Sequence, residues 1–111
     1  MYDYVSIYSD ETYSGKIRAK VMDDYLTSVL KFTRDSNLKF SKEIRGEVVT
    51  VTGIPTDSQG SYAFDSLEGI EEINLIEIDI PMNSNYELEQ EILAIANAIA
   101  RQFSWTIDLR E

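Results

Sequence analysis

The sequence predicts an α+β fold, with an antiparallel sheet carrying two helices on one face. Three observations predict it. Segments 3–9 and 73–80 alternate apolar and polar residues at the period of a strand. Segments 17–34 and 84–103 repeat their apolar residues at the period of a helix. The elements follow the order β-α-β-β-α-β, and its simplest packing is the ferredoxin-like split βαβ pair. Segment 38–52 leaves room for an extra hairpin within that order. At 111 residues the chain makes one domain of ordinary size.

In the first strand Val5 and Ile7 point one way, and Tyr4, Ser6 and Tyr8 the other. Residues 10–15 are a polar connection. A helix is expected over 17–34. Its inner side is Ile17, Val21, Met22, Tyr25, Leu26, Val29, Leu30 and Phe32, and Lys20, Asp23, Asp24, Thr27, Lys31 and Arg34 lie opposite. Asp35, Ser36 and Asn37 end it. Segment 38–52 is extended, as one bent strand or as a hairpin turning at Arg45-Gly46. Val49 and Val51 share one face, Val48, Thr50 and Thr52 the other. Residues 53–69 contain Gly53, Pro55, Gly60 and Gly69 and form the longest loop, long enough to hide a short strand or to carry function.

The strand over 73–80 turns Ile76, Ile78 and Ile80 inward and Glu77 and Asp79 outward, and Pro81 stops it. Ser84-Asn85-Tyr86-Glu87 reads as a capping box. The helix that follows runs to Phe103, with Leu88, Ile92, Ile95, Ala96, Ile99 and Phe103 on one side. Glu87, Glu89 and Glu91 sit in its first turns, where the helix dipole favours acids. A closing strand over 105–109 turns Trp105, Ile107 and Leu109 inward. In this topology the first strand lies between the third and the fourth, and one sheet face stays open. Parity places Tyr4, Ser6, Tyr8, Thr50, Thr52, Glu77, Asp79, Thr106 and Asp108 on that face.

Charge is the second signal. No lysine or arginine occurs between Arg45 and Arg101, while that stretch holds eleven of the twenty acids. Residues 1–45 carry eight basic and seven acidic groups, net +1. Residues 46–111 carry two basic and thirteen acidic groups, net −11. A single-sign field repels phosphate backbones and attracts basic surfaces. Its bland counterpart is a solubilising surface. Hydrophobic residues make up 43% of the chain, enough for a core, so acidity does not imply disorder.

Cysteine and histidine are both absent. That excludes disulfides, thiolate zinc sites and the usual catalytic triads, so no cofactor or metal is implied. The start, MYDYVSIYSDE, has no basic or long apolar region of a signal peptide. No stretch approaches the ~20 apolar residues of a membrane span. A cytoplasmic location without membrane contact is the expectation.

Seven tyrosines stand out: Tyr2, Tyr4, Tyr8, Tyr13, Tyr25, Tyr62 and Tyr86. Interfaces favour tyrosine for its large area and polar tip; strands also favour aromatics for cover alone. An open sheet with aromatics is the platform of RNA-recognition modules. Their basic-glycine-aromatic strand motif is missing, and a net charge of −10 opposes phosphate, so nucleic acid is not expected as a partner. The adjacent pairs Asp23-Asp24 and Glu71-Glu72 do not converge on one point and make poor acid/base sites. The 57–61 loop lacks the spacing of a calcium loop. Arg101 and Arg110 are expected to pair with nearby acids.

The closing segment, ELEQEILAIANAIARQFSWTIDL over 87–109, resembles the last helix and strand of small cytosolic immunity proteins from bacterial toxin–immunity systems. In several such families an acidic amphipathic helix ends in an apolar-Gly-Trp step before a short strand containing Asp. The step here is Phe103-Ser104-Trp105, without the glycine, and Asp108 fits the strand. The resemblance covers about a fifth of the chain. It implies a non-enzymatic protein that blocks a partner.

Four roles follow. The first is an immunity or inhibitor protein that neutralises a cognate toxin, a basic protein such as a nuclease, through an acidic surface. Its contact residues are expected to be Tyr4, Tyr8, Glu68, Glu71, Glu72, Glu77, Asp79, Glu87 and Glu91. The second is a phage or mobile-element inhibitor mimicking nucleic-acid charge, of the anti-restriction or anti-CRISPR kind. The third is a small enzyme or ligand-binding domain. The fourth is a homo-oligomeric accessory domain, such as a homodimer, that buries its tyrosine face against itself.

Overall fold

In the computed structural model the described residues run from Asp3 to Arg110, the Arg110 side chain excepted. Tyr2, counted among the tyrosines above, lies outside them. Eight strands and two helical elements follow one another. They are β1 (Tyr4–Tyr8), β2 (Ile17–Arg18), α1 (Ala19–Asp24) with a π-helical continuation (Tyr25–Val29), β3 (Thr33–Ser36), β4 (Lys39–Ile44) and β5 (Glu47–Ile54). Next come β6 (Glu72–Ile73), β7 (Leu75–Asp79), α2 (Tyr86–Phe103) and β8 (Thr106–Arg110).

Six strands make one antiparallel sheet in the order β3-β4-β5-β7-β1-β8, and β2 with β6 makes a small second one. The main sheet is more complex than the simple βαββαβ expectation, because a hairpin precedes β5. Of the two readings of segment 38–52, the hairpin is the one found. Arg45 and Gly46 both have positive φ, 51° and 81°. A two-residue turn of that geometry matches the right-handed twist of the paired strands.

Val5, Ile7, Val49, Val51, Ile76 and Ile78 point to one sheet face. There they join Met22 and Leu26 of the first helix and Leu88, Ile92, Ala96 and Ile99 of α2 in a single buried cluster. Each of these side chains except Ala96 contributes roughly 1.5–3 kcal/mol on leaving water. The apolar stripe of α2 is therefore what fixes the helix layer to this face.

Three expected elements are corrected. The first helix does not span 17–34. Ile17 and Arg18 pair with β6, and the helix ends at Val29 after a π turn in which Leu30 N–H donates to the Tyr25 carbonyl at 3.2 Å. Lys31 then takes φ 63°, and Phe32 returns its N–H to the Leu26 carbonyl at 2.9 Å. Phe32 so reaches the core from outside the helix, while Val21 and Val29 stay 44% and 60% exposed. The strand over 73–80 is broken at Asn74, which is buried. The helix cap is Asn85, not Ser84: the Asn85 side chain accepts from Leu88 N–H at 2.8 Å. Arg101 is exposed and makes no ion pair among the described residues.

Candidate functional site

The sheet face turned away from both helices is laid out by cross-strand register in three rows. The first row reads Tyr4, Asp79, Thr50, Ser41. The second reads Asp108, Ser6, Glu77, Thr52, Lys39. The third reads Thr106, Tyr8, Leu75, Ile54. Parity and the expected strand order together place Tyr4, Tyr8, Glu77, Asp79 and Asp108 on one face, and the register agrees.

The face is not open, however. Two loops fold over part of it and leave Ser6 only 3% exposed. From the loop after β1, the Tyr13 ring lies 4.9 Å from that of Tyr8. The Tyr8 hydroxyl donates to Asp108 Oδ2 at 3.1 Å. From the 55–71 segment, the Tyr62 hydroxyl donates to Glu77 Oε1 at 2.6 Å, and its ring stacks 5.5 Å from Phe64. The two loops meet at Gly60, whose φ is +84°. A Cβ there would stand 2.6 Å from the Tyr13 hydroxyl oxygen, so only glycine allows the contact.

Asn74 moors both loops. Its carbonyl accepts from Thr56 N–H at 2.7 Å and from the Thr56 hydroxyl at 3.1 Å. Its amide donates to the Thr56 carbonyl at 3.0 Å and the Tyr13 carbonyl at 3.2 Å. The break between β6 and β7 thus has a cause: the side chain that interrupts the strand satisfies half-buried loop backbone at Thr56 and Tyr13.

The electrostatics follow from crowding acids under rings. The Tyr62 hydroxyl is held well above its ordinary range, first by desolvation and then by the bond to Glu77. The residue as a whole is 57% exposed, so it keeps contact with water. Desolvation also raises Asp79, although that residue keeps contact with water. Outside the face, hydrogen bonds from Ser14 and Thr12 bring Asp10 down to about 2.

Four of the nine residues expected to carry the contact meet on this face: Tyr4, Tyr8, Glu77 and Asp79. The other five do not join them. Glu68 is exposed in the long loop, Glu71 lines a groove beside α1, and Glu72 stands opposite Arg18 in the small sheet. Glu87 and Glu91 project from α2, in the layer on the other side of the sheet. Both are paired with Arg45, at 2.9 Å for Glu87. The acidic stretch of sequence is therefore divided among separate surfaces, because α2 and β7 lie in different layers.

The sequence reading missed Tyr13, Tyr62, Phe64, Asp65, Lys39 and Asn74 as members of this region. Tyr62 and Phe64 lie in a loop without periodicity, so no pattern signals where they land. Together with Lys39, Asp65, Glu77 and Asp79 they line a cleft of about 440 Å³ over β5 and β7. Among the described residues no cluster of three or more acids is placed to hold a metal ion. No described helix is long and apolar enough to cross a membrane. No protein-family model, curated protein or solved structure matches this chain.

Proposed function

We propose that this protein is a non-enzymatic inhibitor of the immunity-protein kind, which binds and neutralises a basic protein partner, a cognate toxin. The supporting observation is the meeting of Glu77, Asp79 and Asp108 with Tyr4, Tyr8 and Tyr62 on one sheet face. Carboxylates there pair with lysines and arginines of the partner, and tyrosines supply rigid contact area. Blocking is steric and electrostatic: the partner's substrate site, or a surface beside it, is covered. The same reading puts the protein in the cytoplasm. It also treats the sheet as an elaborated ferredoxin-like one, in which β5-β7-β1-β8 form the basic unit and β3-β4 extend it. The acids of α2 are set aside from the contact, since Arg45 already engages Glu87 and Glu91.

The test is capture of a partner from source lysate at low and high salt, by the wild type and by Glu77→Lys/Asp79→Lys. One dominant basic protein, lost at high salt and lost by the double variant, supports the proposal. Equal capture by wild type and variant refutes the face. A homodimer in light scattering that the double variant disrupts would instead assign the face to self-association.

A further inference from the structure

The larger groove, about 900 Å³ beside α1, selects no occupant by charge. Arg18, Lys20 and Arg34 are balanced by Asp23, Asp24 and Glu71, and Arg34 is already paired with Asp23 at 2.8 Å. The smaller cleft over β5 and β7 is different. One wall is aromatic, made by the stacked rings of Tyr62 and Phe64, and its apolar floor includes Ile54 and Leu67. Asp65, Glu77 and Asp79 face it, against the single cation Lys39. Glu77 holds the Tyr62 hydroxyl. Asp79 makes no hydrogen bond or ion pair among the described residues, and burial has already taken part of its hydration. A carboxylate in that state gains from a cation that arrives with little water of its own.

We infer that this cleft seats one arginine side chain of the basic partner, its guanidinium stacked on the Tyr62–Phe64 wall and paired with Asp79 and Asp65. Charge selects a cation, since three carboxylates outnumber one lysine. The aromatic wall selects arginine over lysine. A guanidinium is planar, weakly hydrated and stacks on rings, while an ammonium is compact and strongly hydrated. The inference rests on the inhibitor proposal only for the identity of the partner; the chemistry of the cleft stands apart from it.

The two are therefore tested separately. The whole chain is titrated at low salt with the blocked peptide Gly-Arg-Gly, and with matched peptides bearing lysine or uncharged citrulline. Amide NMR shifts are the readout. Saturable shifts are expected at Thr52, Tyr62–Leu67, Glu77 and Asp79, with arginine bound about threefold or more tighter than lysine and citrulline not bound. Asp79→Asn should weaken the arginine peptide by about fivefold. Lys39→Gln should tighten it by about threefold, the Coulomb effect of one unit charge across a few ångströms of water-like dielectric. A gain cannot come from misfolding, so this variant guards against a trivial loss. Phe64→Leu should erase the preference for arginine over lysine. No binding, shifts spread equally over the acids of α2, or indifference to both Asp79→Asn and Lys39→Gln would overturn the inference. Failure here together with partner capture that depends on Glu77 and Asp79 would sink the arginine seat and leave the inhibitor proposal standing.

Discussion

Replacing Asn74 with alanine should cost about 2–4 kcal/mol of stability. The residue is 4% exposed and makes four hydrogen bonds to Thr56 and Tyr13. The bonds at 2.7 and 3.0 Å to the Thr56 backbone are well formed, and each contributes ~0.5–1.5 kcal/mol net. Their loss also leaves an amide and carbonyls without partners, at ~1–3 kcal/mol for a group that water cannot reach. Thr56 and Tyr13 are only half-buried, so water recovers part of that cost. Urea unfolding gives the measurement. With a slope of ~1–3 kcal/mol per molar for a domain of this size, the midpoint should fall by about 1–2 M. The Tyr8 and Tyr62 regions should also lose amide-exchange protection, because Asn74 moors both loops. Asn74→Asp separates the donor bonds from the acceptor bonds. Its carboxylate still accepts from Thr56 but faces two carbonyls, so its folded-state pKa should be raised. A raised acid stabilises the fold when protonated, and that stability is lost as pH rises through the folded value. Asn74→Asp should therefore sit closer to wild type at pH 4 than at pH 7. A loss below about 0.5 kcal/mol for the alanine variant, or no pH difference for the aspartate, would refute the mooring role.

Four further outcomes are expected. Ser104 ends α2 at φ 58° and ψ 42°, the left-handed conformation that costs a residue with a Cβ ~1 kcal/mol. Ser104→Gly should thus add about 0.5–1 kcal/mol, seen as a rise of a few degrees in thermal midpoint. Arg45→Ala should cost about 0.5–1 kcal/mol at low salt and almost nothing at 0.5 M salt, since its pairs with Glu87 and Glu91 are solvent-exposed. Gly60→Ala should push Tyr13 away and cost about 1–2 kcal/mol, with a change in near-ultraviolet circular dichroism from the tyrosines. Glu77→Gln should bring the Tyr62 titration back toward the ordinary tyrosine value of 10.0, followed by tyrosinate absorbance. In the wild type that raised hydroxyl stabilises the fold while protonated, so stability should fall as pH rises above that ordinary value.

Much of the fold was legible because it is written in periodicity. Val5 and Ile7, Ile76 and Ile78, and the stripe from Leu88 to Ile99 are inward by the period of their own elements. The positive-φ turn at Arg45-Gly46 needs only its two residues. Parity joined Tyr4 with Tyr8 and Glu77 with Asp79, since alternation along a strand decides the face within it, and the expected pairing of the first and third strands brought the two pairs together. Periodicity failed where an apolar residue serves the core from an irregular backbone. Phe32 keeps helical spacing yet reaches the core from outside the helix.

Composition and periodicity were enough for the inward sides of β1, β7 and α2, for the sign and segregation of charge, and for the lack of cysteine and histidine, but not for Val21 and Val29, which were expected inward and are exposed. Assembly of the layers gave Glu87 and Glu91 to Arg45 on the far side of the sheet, and brought Tyr13, Tyr62 and Phe64 to rest over β1 and β7. Range explains the division. Strand and helix periods are set by neighbours a few residues apart. The position of a loop ring is set by partners as distant as Asn74 from Tyr13 or Glu77 from Tyr62, and those contacts exist only once the sheet has assembled.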